Sequence, residues 1–330
     1  MMISRDKYLE ALKIRMHNGM IKVVTGIRRC GKSYLLLMIF KNDLIQSGTP
    51  EDHIITIELD QRKNRELRNP DAILDYIDSL IKDGEQYYIL LDEVQMLKEF
   101  EEVLNSLLHI QNADVYVTGS NSKFLSKDII TEFRGRGDEV HVYPLSFKEF
   151  MEAYEGDQYR GWAEYVTYGG LPLTVTMKTE EQKIQYLTTL FDETYIKDII
   201  ERNHIEKVQE LNDLINVLAS TIGALSNPSK IEATFKSVIQ SDISLNTIRQ
   251  YIEHLKDAFV INEAQRYDVK GRKYIGTPVK YYFEDIGLRN ARLGFRQVEE
   301  THLMENIIYN ELRSRGYTVD IGVVEKRGTD

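Results

Sequence analysis

The sequence predicts an α/β fold: a parallel, doubly wound sheet over the first 150 residues, followed by mainly helical parts. Three observations predict it. Short apolar runs alternate with segments of helical spacing through the first half, a glycine-rich loop joins the first run to a helix, and a later run ends in two adjacent carboxylates.

The first strand is Ile21-Lys22-Val23-Val24-Thr25, and Tyr34-Leu35-Leu36-Leu37-Met38-Ile39-Phe40 opens the first crossover helix. Between them stands Gly26-Ile27-Arg28-Arg29-Cys30-Gly31-Lys32-Ser33. Two glycines allow the backbone to wrap closely enough for its N–H groups to cradle phosphate oxygens, and the following helix N-terminus adds partial positive charge. In this strand–loop–helix context Lys32 is placed to neutralise the β- and γ-phosphates of a nucleotide, and the Ser33 hydroxyl to hold the accompanying Mg²⁺. The predicted nucleotide contacts are Gly26, Arg28, Arg29, Cys30, Gly31, Lys32, Ser33 and Tyr34.

The second strand spans His53 to Asp60, and Asp71 to Ile81 forms a helix. Tyr87-Tyr88-Ile89-Leu90-Leu91-Asp92-Glu93 follows, reading as a buried strand whose acids emerge in the crevice beyond the strand ends, where parallel sheets bind ligands. If the strand persists through both acids they point to opposite faces and divide the work. Asp92 then holds Mg²⁺ with Ser33, and Glu93 is the general base that polarises an attacking water. A helix with Leu97, Phe100, Val103, Leu104, Leu107 and Leu108 at helical spacing precedes the strand Asp114 to Asn121, which ends in small polar residues. The polar end Thr118, Ser120 and Asn121 faces the same crevice. Val140-His141-Val142-Tyr143-Pro144 closes the series.

Taken together, Thr25 to Ser33, Leu91-Asp92-Glu93-Val94-Gln95, Val117-Thr118-Gly119-Ser120-Asn121-Ser122 and Tyr143-Pro144-Leu145-Ser146-Phe147-Lys148-Glu149-Phe150 resemble the AAA-type P-loop ATPases of bacteria and archaea that carry a C-terminal domain of unknown function. The resemblance implies a sheet with the phosphate-loop strand between the fourth and fifth, ATP and Mg²⁺ as cofactors, Glu93 as catalytic glutamate and a γ-phosphate sensor in Ser120 or Asn121. It also implies that Arg136, with Arg134 as competitor, reaches a nucleotide, that of a neighbouring copy in a homo-oligomer included. Pairing of these arginines with Asp138 or Glu139 is the structural alternative.

The pattern divides the chain into an ATPase domain over 1–150, a helical lid over 151–204, a winged-helix-like domain over 205–285 and a last segment over 286–330, which the resemblance implies is the start of a nuclease-like α/β domain. Tyr168-Gly169-Gly170-Leu171-Pro172 reads as a loop ahead of a helix carrying Phe191, Tyr195, Ile196, Ile199 and Ile200. Three helices at 208–222, 229–239 and 244–256 lead into a hairpin with the basic tip Lys270, Arg272 and Lys273. Asn246, Thr247, Arg249 and Gln250 on the third helix could meet DNA, whereas Glu253 and Asp257 dilute its charge and favour packing against protein. Glu305 and Glu311, six residues apart and so about 240° around a helix, cannot share one site and read as a solvated face.

Composition sets outer bounds. The net charge of -10 argues against a surface coated for nucleic acid while leaving room for a local patch. A single cysteine, Cys30, excludes an intramolecular disulfide and fits a reducing compartment. Its place beside Lys32 suggests a redox-sensitive thiol, although tolerance of a small residue in a variable loop is the simpler reading. No run reaches the roughly 18 apolar residues a membrane span requires, and Met1 to Asp6 lacks a signal-peptide core. The expectation is a cytoplasmic ATPase with no membrane partner. Its alternatives are a slow ATP-gated binding switch, or a small-molecule kinase using the cluster Asp60, Arg62, Lys63 and Arg65.

Overall fold

The computed structural model describes residues 3–119, 137–267, 278–296 and 300–322. The chain divides into two compact units, Met1–Val142 and Tyr143–Asp330. Residues 143–150 therefore group with the second unit.

Five parallel strands build the first unit: β1 (Ile21–Thr25), β2 (Ile54–Glu58), β3 (Tyr87–Asp92), β4 (Ala113–Thr118) and β5 (Gly137–His141), in the order β2-β3-β4-β1-β5. The strand that leads into the glycine loop thus lies between the fourth and fifth, as the resemblance implies. β1 and β3 are buried at every position, the state of parallel strands covered on both faces. Alternation along the strands sends Ile21, Val23, Ile55, Ile57, Ile89, Leu91, Val115 and Val117 into one core layer. The helices Pro70–Leu80 and Phe100–Leu107 close over it with Ile73, Ile77, Val103, Leu104 and Leu107. Asn69 caps the first of these, its side chain accepting from the Ala72 N–H at 3.1 Å, with Pro70 at the first helical position where a missing donor costs nothing.

The opposite face carries a buried charge inside the apolar run of β1. Lys22 is fully buried and ion-paired with Asp114, whose other carboxylate oxygen accepts from Tyr116 Oη at 2.9 Å and from the His17 N–H at 3.1 Å. Lys22 Nζ also lies 5.2 Å from the Tyr116 ring centroid. Burial and the neighbouring carboxylate push the Tyr116 phenol far above its ordinary range, so it stays protonated and donates to Asp114. Phe40 packs on Tyr116 at 4.6 Å between ring centroids, which brings the helix after the glycine loop onto this face. That helix is regular at Lys32–Tyr34, widens to a π-helix over Leu35–Phe40 and returns to α at Lys41–Gln46. β5 begins at Gly137 rather than Val140, with Asp138 held by Arg15 Nε at 2.7 Å and by Asn18 at 3.0 Å.

The second unit opens with the helix Phe147–Ala153, fixed by a capping box in which Ser146 and Glu149 bond each other's backbone. Gln158–Tyr168 follows, then a long helix from Glu180 to Asn203 with a π-helical centre at Leu190–Ile196. Next come the helices Val208–Ser220, Pro228–Thr234 with its π-helical extension to Ile239, and Leu245–Asp257. Strands β6 (Ile261–Ala264), β7 (Arg266–Tyr267) and β8 (Lys280–Phe283) come after them, β6 and β8 pairing antiparallel. Ser226, between the first two of these helices, forms a bridge to Val279 next to β8. β7 pairs in parallel with the last strand, β9 (Ile321–Gly322). The expected basic tip, Lys270, Arg272 and Lys273, lies outside the described residues.

The helix Ile286–Arg292 packs into the second unit: six of its residues are buried, and it is tied to the loop at 168–172. The Asp285 carboxylate caps this helix by accepting from Leu288 N–H at 3.0 Å, and it accepts from Gly170 N–H at 2.8 Å. Gly169, at φ +75°, leaves no room for a side chain, since a Cβ would stand 2.3 Å from Asp285 Oδ1; one on Gly287 would stand 2.1 Å from the Tyr168 carbonyl oxygen. Asn290 completes the lock by donating to the Val166 and Thr167 carbonyls, each at 2.9 Å. Glu305, expected on a solvated face, is instead half-buried and engaged by two partners. It accepts from Lys280 Nζ at 2.6 Å and Tyr282 Oη at 2.5 Å, and although burial pushes its carboxyl upward, these partners outweigh burial and hold it below the usual range. Glu311 stays on the surface and pairs with Arg315.

Burial pushes the Asp285 carboxyl up to about 6 from an ordinary 3.8, against the opposing pull of its three backbone N–H donors. A folded-state value above the unfolded one means that the contribution to stability is full below pH 4 and lost as pH rises through about 6, by about 3 kcal/mol at 1.36 kcal/mol per unit. Urea unfolding between pH 4 and 7 should therefore show parental stability falling relative to Asp285→Asn across that window, and a flat difference would contradict the burial of an ionisable group there.

Candidate functional site

The glycine loop turns sharply out of β1. Gly26 sits at φ +135°, and a Cβ there would lie 2.2 Å from the Val142 carbonyl oxygen and 3.1 Å from Cys30 Sγ, so only glycine fits. Arg29 at φ +66° and Gly31 at φ +99° complete the wrap, and Gly31 stands directly before the helix that begins at Lys32. Lys32 is buried, its Nζ donating to the Gly26 carbonyl at 2.9 Å and the Ile27 carbonyl at 3.0 Å, which holds the ammonium inside the loop. Arg29 and Tyr34 are exposed at the rim and Arg28 is half-buried. Cys30 is fully buried, with Sγ 3.2 Å from the Val142 carbonyl oxygen. Its packing role beneath the loop explains the residue better than redox chemistry does.

The loop is anchored from beside. Thr25, the last residue of β1, donates its hydroxyl to Glu139 Oε1 at 2.6 Å and lies 2.8 Å from His141 Nδ1. Both partners belong to β5, where Thr25 pairs in register with His141.

The acids at the end of β3 meet the loop. The Ser33 hydroxyl lies near enough to the Asp92 carboxylate to favour its charged form, and Thr118 Oγ1 at the end of β4 donates to Asp92 Oδ1 at 2.5 Å. Burial raises the Asp92 carboxyl above its ordinary range; the Thr118 and Ser33 hydroxyls pull the other way, and the charges of Glu93 and Asp60 add to the rise. β3 ends at Asp92, so the premise of two consecutive strand residues fails at Glu93. Glu93 adopts φ 54°, ψ 51°, in the left-handed region, and its N–H donates to Thr118 Oγ1 at 2.9 Å. The two acids still diverge, but through a backbone reversal rather than strand alternation. A non-glycine residue held there stores strain that surrounding contacts must sustain, a recurrent property of functional sites.

Thr118 thus serves both acids with one hydroxyl, donating to one side chain and accepting from the other backbone. Sequence reasoning places it at the crevice without seeing this link. Gln95, whose side-chain amide donates to Glu93 Oε2, enters the sequence reading only as the last residue of a family motif, with no role assigned to it. Asn121, Ser120, Arg134 and Arg136 lie outside the described residues. Around the proposed kinase cluster, Arg68 donates to the Leu59 and Asp60 carbonyls, while Arg62, Lys63 and Arg65 are exposed on single-turn helices.

The donor set suits a nucleotide with a hard cation. The tightly wound loop offers backbone N–H groups and a buried ammonium, and the hydroxyl–carboxylate pair Ser33 and Asp92 is an oxygen set of the kind Mg²⁺ prefers.

A family model described as an AAA domain matches residues 18–151, and a model of a domain of unknown function matches 159–299. An uncharacterized protein of Haemophilus influenzae is 34% identical over 335 aligned residues that take in all of this chain and 83% of the relative. Another uncharacterized protein, from Methanocaldococcus jannaschii, is 28% identical across 96% of this chain and 70% of its own length. Among solved structures, a Walker-type ATPase of Pyrococcus abyssi superposes with a TM-score of 0.62 at 16% identity, covering 88% of this chain and 96% of its own, a likeness of fold. Among the described residues, no helix is long and apolar enough to cross a membrane.

Because Thr118 satisfies a buried carboxylate and a backbone donor at once, Thr118→Val should destabilise the protein by about 1–3 kcal/mol in urea unfolding. Thr118→Ser, which keeps the hydroxyl, should cost less than half as much.

Proposed function

Because the chain belongs to the family of AAA-type P-loop ATPases that carry a C-terminal domain of unknown function, we propose that it binds ATP with Mg²⁺ and hydrolyses it. The observation that carries this reading is the hydroxyl of Ser33 standing beside Asp92, which brings the phosphate loop and the acids of β3 into one site. The loop N–H groups and Lys32 bind the β- and γ-phosphates. Ser33 and Asp92 hold Mg²⁺, which supplies neutralisation of phosphate charge. Glu93, turned out of the strand beside them, orients a water and takes its proton as the water attacks the γ-phosphorus in line and the bond to the bridging oxygen breaks, releasing ADP and phosphate. An acid so placed favours water over an alcohol acceptor, and the cations Arg62, Lys63 and Arg65 stand exposed, so hydrolysis is better supported than phosphotransfer to a small molecule.

We place the protein in the cytoplasm on the strength of its lone buried cysteine and its ATP chemistry. Hydrolysis in this proposal times a rearrangement of the second unit, whose three helices, Ser226 bridge and β6–β8 ribbon follow the element order of a winged helix. The third helix exposes Asn246, Arg249, Gln250 and Glu253, and Lys256 is engaged by Glu253 at 2.9 Å and Glu263 at 3.5 Å. One exposed cation beside an anion is a poor match for a phosphate backbone, so a protein partner fits this face better than DNA does. Arg136 is proposed to act on the nucleotide of a neighbouring copy.

Lys32→Ala should abolish ATP binding by calorimetry, since Lys32 is the buried cation of the loop. Glu93→Gln should bind ATP as tightly as the parent yet hydrolyse it at least about a hundredfold more slowly, the size expected for loss of a general base. If ATP-bound Glu93→Gln and the nucleotide-free protein give identical hydrogen exchange over 143–330, the coupled rearrangement is wrong. For Arg136, specific activity should rise with protein concentration and Arg136→Ala should remove the rise; a flat profile in the parent returns Arg136 to a local role.

A further inference from the structure

The catalytic carboxylate proposed above is restrained at three points. The backbone of Glu93 is held left-handed, its N–H is bonded to Thr118, and one of its two carboxylate oxygens, Oε2, accepts from the side-chain amide of Gln95. The third restraint is the one that reaches the reacting group. A carboxylate on a flexible stem gains little as a base unless one oxygen is directed at the water, and fixing the other oxygen is a direct way to do so.

Gln95 is suited to that task because its own backbone cannot drift. It sits in the single 3-10 turn Val94–Met96, whose N–H bonds run from Met96 to Glu93 at 2.9 Å and from Leu97 to Val94 at 3.0 Å. Val94 and Leu97 on either side are anchored in the core layer beneath the sheet. The left-handed turn at Glu93 folds the chain back, so that a residue two positions on faces the carboxylate; in a continuing strand it would point the same way and pass it by. The half-buried position of both side chains limits competition from bulk water for the amide–carboxylate bond.

We propose that Gln95 is a positioning residue for hydrolysis: its amide holds Oε2 of Glu93 and thereby aims Oε1 at the attacking water. The inference rests on Glu93 being the general base, and the test separates the two. Gln95→Met keeps the length of the side chain and removes the donor, and Gln95→Glu keeps its shape and replaces the donor with an acceptor. Each should lower kcat for ATP hydrolysis about tenfold or more, with KM for ATP within about twofold of the parent, because the phosphate contacts are made elsewhere. In the Glu93→Gln background the same substitutions should change the residual rate less than about twofold, since there is no base left to aim. An equal loss in both backgrounds, a rise in KM that accounts for the loss, or full activity in Gln95→Met overturns the role of Gln95 while leaving Glu93 as base. Full activity in Glu93→Gln overturns the base itself. Failure of both Gln95 variants to fold, judged by urea unfolding, also overturns the proposal, because it would make Gln95 a structural residue.

Discussion

Everything in the first unit depends on β1 lying between two parallel neighbours. A strand enclosed on both edges and both faces cannot shift register without breaking hydrogen bonds to β4 and β5 together, so the point at which it ends is fixed in space. Thr25 marks that point, tied across to Glu139 and His141 on one side while Val24 faces Thr118 on the other. The glycine loop starts from a rigid stub. The hydroxyl that gathers Asp92 and Glu93 starts from the neighbouring strand, at the same level. The site is therefore a property of sheet order, and its polar groups meet because three strand ends are adjacent.

Much of this was legible in the sequence, and for an identifiable reason. Parallel strands covered on both faces must be apolar throughout, so β1, β3 and β4 stand out as runs, and the residues that follow such runs are the ones that line a crevice. The glycine loop and the Asp92–Glu93 pair are local patterns whose chemistry is complete within a few residues. β5 was legible only in its apolar second half, because Gly137, Asp138 and Glu139 satisfy an edge position with polar groups and carry no strand signature. The link between Thr25 and β5, and the tie from Gly170 to Asp285 across 115 positions, involve partners too distant for any pattern to register. Gln95 was hidden for a different reason. Its role exists only because Glu93 leaves the strand in a left-handed turn, a conformation that glutamate does not announce.

The second unit uses the same device as the first, a backbone made to approach another backbone where side chains are excluded. Gly169 and Gly287 face each other's neighbours at distances a methyl group would close, and Asp285 gathers the free N–H groups that result. A loop read from sequence as mere punctuation is thus a packed joint. The acid at its centre is buried against its own solvation, which makes the joint strong in geometry and sensitive to what protonates it.

Lys22 and Asp114 meet on the other face of the sheet from positions 92 apart in the chain, and neither contributes to the chemistry at the strand ends. Removing one of two buried, mutually neutralising charges strands the other, whereas replacing both with apolar groups of matching volume can be neutral. Descendants of this sequence can abandon the pair only by passing through a poorly folding ancestor or by changing both genetic positions at once. The contact therefore acts as a ratchet on divergence: a solution adopted early for reasons of packing becomes hard to leave, and its persistence would record history rather than catalytic need.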